Sequence, residues 1–168
     1  MSIIHTKIDG FVIRRAAEND VELILNFIRE LAEYEKLSKE VTATETKLRN
    51  TLFGDDPVAE VIFGEYGGEP AAFALFFRNY STFLGKAGLY LEDLFVRPAF
   101  RNRGFGKVML SFLAKIAIER NYARFEWSVL DWNEPALQFY RSLGAIPMDE
   151  WTIHRLTDDS LKKLASLF

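Results

Sequence analysis

The chain has 168 residues, 49% of them hydrophobic, enough for one full-sized core. A net charge of −3 speaks against nucleic acid as an electrostatically held partner, and the absence of cysteine excludes disulfides, thiolate nucleophiles and cysteine-held metals. His5 and His154 lie far apart with no ligand pattern around them, the start carries no signal-like apolar core, and the longest apolar run is Ala71–Phe77; no metal, no membrane partner and a cytoplasmic location are expected.

Residues 1–10 are expected to be flexible, and Phe11–Arg14 reads as the first strand. Asn19 and Glu22 form a capping box, opening a helix whose face is Ile24, Phe27, Ile28, Leu31 and Tyr34. Thr42 and Glu45 repeat the box before a shorter helix ending near Phe53-Gly54. Val58–Tyr66, the Gly67-Gly68 turn and Ala71–Tyr80 predict a hairpin. Leu89–Val96 is the next strand, closed by Pro98. A helix over 104–120 buries Val108, Leu110, Phe112, Leu113 and Ile116 and stops at Asn121. In Ala123–Leu130, Phe125, Trp127 and Val129 alternate with Arg124, Glu126 and Ser128, as in a strand. A helix follows from Asn133 to Gly144, its core stripe made of Leu137, Phe139 and Leu143. One or two closing strands are expected over 145–156, and a terminal helical turn or two over 161–167. This order predicts a single α/β domain over residues 1–168, with helices on both faces of one sheet.

The turn between the fourth strand and its helix carries chemistry. Arg101-Asn102-Arg103-Gly104-Phe105-Gly106 places glycines and fixed positive charge at a helix start, where backbone N–H groups lack intrahelical partners. It is not a P-loop, because Arg101 stands where that motif needs Gly and Val108 where it needs Ser or Thr. Nor is it a dinucleotide fingerprint, because Met109 replaces the third Gly. Arg-x-x-Gly-x-Gly opening a helix resembles the GNAT acetyltransferases, in which this turn holds the acetyl-CoA diphosphate. The strand entering it carries Glu92-Asp93, potential bases beside a phosphate handle.

A second constellation lies in Trp132–Gly144. Asn133, Ala136, Tyr140 and Gly144 are spaced three, four and four residues apart and share one helical face. That face is not a core stripe; it leaves a surface open for a ligand, with one phenol on it. With Phe11–Arg14, Glu30–Glu35 and Leu89–Asp93, these blocks resemble, in order and over nearly the whole chain, the spermidine/spermine (diamine) acetyltransferase branch of GNAT. The resemblance implies a mixed, mostly antiparallel, twisted sheet of six to seven strands, splayed between the fourth and fifth, and a homodimer. It implies acetyl-CoA as co-substrate, bound by Leu94, Phe95, Val96, Arg101, Asn102, Arg103, Gly104, Phe105, Gly106 and Lys107, with Asn133, Ala136 and Tyr140 on its other side. It implies Glu92 as proton acceptor, Tyr140 as proton donor to the leaving sulfur, and an amine pocket of Tyr34, Glu35, Glu92, Asp93 and Glu126. Carboxylates in that pocket suit a cationic amine.

One stretch departs from the polyamine-acting pattern. Where those members carry Asp-Pro-Trp, this chain has Ser81-Thr82-Phe83, which is nearer the Ser-Thr-Trp of the thialysine-acting sub-branch. Losing one anionic group weakens a multiply charged polyamine more than a zwitterion. The expected activity is direct transfer of acetyl to a primary amine of a small cationic metabolite, lysine-like ahead of spermidine. A non-catalytic acyl-CoA sensor and a protein-lysine acetyltransferase are the alternatives; Glu92 and Tyr140 together favour the enzyme.

Overall fold

A computed structural model describes residues 3–168, which divide into two compact units, the first ending at Ser128 and the second spanning Val129–Phe168. The first holds a six-stranded sheet in chain order: β1 (Ile3–His5), β2 (Phe11–Arg15), β3 (Glu60–Tyr66), β4 (Glu69–Ser81), β5 (Lys86–Val96) and β6 (Phe125–Trp127). Neighbours run antiparallel except β5 and β6, which are parallel. Its helices are α1 (Val21–Tyr34), α2 (Glu45–Phe53) and α3 (Phe105–Glu119).

Register sorts the core into two layers. Phe63, Phe73 and Phe95 lie opposite one another on β3, β4 and β5, and pack with Phe27, Ile24 and Leu31 of α1 and Leu48 and Leu52 of α2. On the other face Ile13, Gly64 and Ala72 align, and Phe11 stacks on Phe105 of α3 with ring centres 4.0 Å apart. Gly64 makes that stack possible: a side chain there would meet the Phe11 ring and come within 3.2 Å of Ala72 Cβ. Helices therefore cover both faces, as the pattern predicts.

Several local details differ from the sequence reading. Ile3–His5, expected to be flexible, pairs with Arg14–Val12 as an edge strand, which a three-residue segment cannot signal by periodicity; Met1 and Ser2 lie outside the described residues. Asp20 rather than Asn19 precedes α1, at the end of a 3-10 turn over Glu18–Asp20, and its carboxylate accepts from Arg14 and the Ala17 amide instead of capping the helix. Thr44 rather than Thr42 caps α2, accepting from the Lys47 amide. Gly67 and Gly68, both at positive φ, make the tight β3–β4 turn as expected. Asn121, at φ +55°, ends the α3 segment.

The second unit carries α4 (Glu134–Ser142) and α5 (Asp158–Ala165). The closing strands expected over 145–156 are not formed, although Trp151 and Ile153 there are apolar. They are 70% and 73% exposed, so the alternation finds no sheet partner within this unit. Leu137 and Phe139 of α4, expected in its core stripe, are half-buried, and Leu143, just beyond the helix, is exposed.

Candidate active site

Three features of the first unit converge at the C-terminal end of β5. The first is a fork. β5 pairs with β6 only at Leu89–Phe125, Tyr90–Glu126 and Leu91–Trp127, and then continues through Glu92–Val96 with no strand on that edge. Backbone groups on that edge are left for another partner, which is the splay between the fourth and fifth predicted strands.

The second is a β-bulge. Phe76 pairs with Leu91 and Leu75 with Asp93, so Glu92 has no opposite residue on β4. The bulge exposes Glu92 and turns the alternation over. Period-two spacing predicts Tyr90, Glu92, Leu94 and Val96 on one face; instead Tyr90 sits opposite Phe77, while Leu94 and Val96 follow Ala74 and Ala72 on the α3 face. Asp93 and Phe95 join Leu75 and Phe73 on the α1 face. Burial, with Glu92 and Glu35 adding repulsion, pushes the Asp93 carboxyl from 3.8 up to about 7. Burial also raises Glu35, the residue following α1. Glu126 is differently placed: Asn79 donates to its carboxylate at 2.8 Å and Arg124 Nε lies 2.8 Å away, so its charge is already matched.

The third is the turn into α3. Asn102 (φ +61°) and Gly104 (φ +80°) adopt left-handed backbone, which lets the chain reverse into the helix. No side chain caps α3, and its first internal bond runs from the Val108 amide to the Gly104 carbonyl. The amides of Phe105, Gly106 and Lys107 thus lead the helix as unspent donors. Gly106 keeps the approach clear: a Cβ there would touch only Val96, at 3.7 Å. Arg103 and Lys107 are exposed beside it, and the Arg103 guanidinium lies 5.3 Å from the Tyr66 ring centre. Arg101 is more constrained, donating from Nε to the Val96 carbonyl at 2.9 Å and lying 4.6 Å over the Tyr34 ring.

Asn133, Ala136 and Tyr140 belong to the second unit. Asn133 is the residue before α4, and the Leu137 amide donates to its carbonyl. Ala136 and Tyr140 are half-buried on that helix, with the Tyr140 ring 5.5 Å from Phe139.

A family model described as acetyltransferase (GNAT) matches residues 24–145. The chain belongs to the GNAT acetyltransferase family. It is 37% identical over 165 residues to thialysine N-epsilon-acetyltransferase of Sus scrofa, covering 92% of this chain and 96% of the relative. L-ornithine N5-acetyltransferase of Arabidopsis thaliana is 33% identical, with 92% and 88% covered. Among solved structures, an integron cassette protein from the mobile metagenome of V. cholerae superposes with a TM-score of 0.78 at 27% identity, covering 93% of this chain and 98% of that one. This GNAT enzyme is an N-acetyltransferase, and its family uses acetyl-CoA as co-substrate.

Acetyl-CoA fits what is present. A helix start with unspent amides and neighbouring cations suits a diphosphate, and a strand edge released at a fork suits an amide-bearing pantetheine arm. Sequence reasoning missed the bulge and the Arg101–Tyr34 stack; neither has a local signal, since each depends on a residue distant in the chain. Among the described residues there is no cluster of three His, Cys, Asp or Glu suited to a metal, and no helix is long and apolar enough to cross a membrane.

Proposed function

We propose that this enzyme acetylates the side-chain amine of a small cationic amino acid, lysine-like or ornithine-like, ahead of a diamine or polyamine. The observation that carries this is the half-buried Asp93 between Glu92 and Glu35, whose neutral form is favoured until a cation arrives. Among the described residues none of these three carboxylates has a Lys or Arg partner, so the cluster offers its charge to a ligand. Relatives named for thialysine and L-ornithine, both carrying a side-chain amine and their own carboxylate, support the same choice. Ser81-Thr82-Phe83 in place of an acidic segment agrees with it; Phe83 is 94% exposed on the β4–β5 turn.

Acetyl-CoA supplies the acyl group as a thioester. Asp93 and Glu35 draw the ammonium in, and Glu92, directly or through one water, takes a proton that otherwise leaves only near pH ~10.4. The freed nitrogen forms its bond to the acyl carbon as the carbon–sulfur bond breaks; Tyr140 gives its proton to the departing thiolate, and the second proton, shed by the nitrogen as it becomes an amide, restores the phenol. Leu94, Phe95 and Val96 offer backbone contacts to the pantetheine arm. Arg101, Asn102, Arg103, Gly104, Phe105, Gly106 and Lys107 hold the diphosphate, and Asn133 and Ala136 line the other side. Tyr34 walls the amine pocket, with Glu126 at its margin. In this reading the whole chain works as one acetyltransferase domain in the cytoplasm. The exposed Trp151, Ile153 and Leu156 support a homodimer.

Thiol release from acetyl-CoA across thialysine, lysine, ornithine, diamines, spermidine and lysine peptides tests the proposal. Basic amino acids should give the highest kcat/KM. Tight CoA binding with no turnover of any amine would instead favour the sensor, and preference for peptides a protein-lysine acetyltransferase.

A further inference from the structure

Arg101 makes two commitments that a simple diphosphate ligand would not need. Its Nε–H is donated to the Val96 carbonyl at 2.9 Å. Its guanidinium carbon lies 4.6 Å over the Tyr34 ring and 5.5 Å from the centre of the Phe95 ring. The Tyr34 and Phe95 ring centres are themselves 6.3 Å apart and tilted by 55°, so the three side chains form one contiguous cluster. The cluster joins separate parts of the site. Val96 and Arg101 bracket the loop that opens α3, Tyr34 is the last residue of α1, and Glu35 follows it directly. Glu35 is one of the two carboxylates that act on Asp93. Among the described residues, Arg101's terminal nitrogens find no hydrogen-bond partner, which leaves them for an anion.

We propose that Arg101 positions the amine pocket as well as the coenzyme turn: its stack on Tyr34 couples the loop opening α3 to the end of α1 that carries Glu35. This rests on the amine pocket proposed above. A guanidinium that must keep its place over a ring and reach an anion with its outer nitrogens is held in fewer orientations, so each contact favours the other. Binding a diphosphate at the turn then tightens the Tyr34–Glu35 end, and loosening Tyr34 weakens the grip on the diphosphate. The coupling is reciprocal by thermodynamic necessity.

The test is a double-substitution cycle read by calorimetry with CoA and by thiol-release kinetics with thialysine. Tyr34→Leu removes the ring from a position 36% exposed. It should weaken CoA about fivefold and raise the amine KM about fivefold, from an interaction of this class. Tyr34→Phe keeps the ring and should hold CoA affinity within about twofold. In an Arg101→Ala background, Tyr34→Leu should change CoA affinity by less than about twofold, because the stack is already gone. Arg101→Lys keeps the charge but loses the planar stack, and should raise the amine KM much as Tyr34→Leu does. Unchanged CoA affinity in Tyr34→Leu, or an equal loss with and without Arg101, would overturn the coupling. Failure of every amine to turn over would count against the acceptor reading alone, because calorimetry with CoA decides the coupling without an amine.

Discussion

Replacing Asp93 with asparagine should make the protein more stable and a poorer enzyme, and the size of the gain can be worked from the site. Burial, Glu92 and Glu35 together lift this carboxyl from 3.8 to about 7. About three pH units at ~1.4 kcal/mol each set a ceiling of ~4 kcal/mol on what its negative charge costs the fold. Solvent reaches this half-buried side chain, so screening brings the expected gain down to about 1–3 kcal/mol. The sign follows from proton binding. Between its unfolded and folded values the native protein holds the proton and the unfolded chain does not, so stability falls as pH rises from 3.8 to about 7. Asparagine is neutral throughout and escapes that loss. Urea unfolding at pH 8 should therefore favour Asp93→Asn, with a melting point higher by ~2–4 °C per kcal/mol, and the advantage should vanish near pH ~4. The same variant should raise the amine KM, a site strained for function at the expense of the fold. Equal stability at pH 8, or an advantage that does not change with pH, would refute the reasoning.

Other substitutions test separate parts of the account. Tyr140→Phe should lower kcat by roughly 100-fold or more in thiol-release assays, with CoA affinity by calorimetry unchanged, as expected for loss of a proton donor. Arg103→Ala should weaken CoA but leave pantetheine, which lacks the diphosphate, unaffected; equal loss for both would contradict a diphosphate role. In the wild type the amine KM should climb as pH falls through about 7, because Asp93 becomes neutral and stops attracting the cation. A KM flat from pH 8 to 6 would remove Asp93 from amine binding. Gly64→Ala should destabilise by about 2 kcal/mol or more in denaturant titrations, since the new methyl would sit 2.7 Å from Phe11 Cε2, in a ring already stacked on Phe105.

The parts legible in the sequence were those governed by neighbouring residues. Gly67-Gly68 announces the hairpin, Asn121 the end of α3, and Arg101–Gly106 the loop at its start, because positive φ, caps and helix-start amides are local properties. The bulge at Glu92 is different. It is defined by which β4 residues pair with Leu91 and Asp93, and no spacing within β5 reveals it. Asp93 is legible only in part: its raised carboxyl comes from burial, from Glu92 beside it and from Glu35, which follows α1 far away in the chain. Arg101 reads in sequence as a phosphate ligand, and only the fold adds Tyr34 beneath it. Residues 145–156 alternate like strands, yet alternation states only which side chains seek cover, not what supplies it.

A crystal structure with CoA and thialysine bound would examine the central claim most directly. The account predicts the diphosphate against the amides of Phe105, Gly106 and Lys107, the pantetheine arm along the unpaired edge at Leu94–Val96, and the amine nitrogen among Glu35, Glu92 and Asp93 with Tyr140 near the sulfur. A diphosphate held away from α3, or an amine remote from those carboxylates, would contradict it.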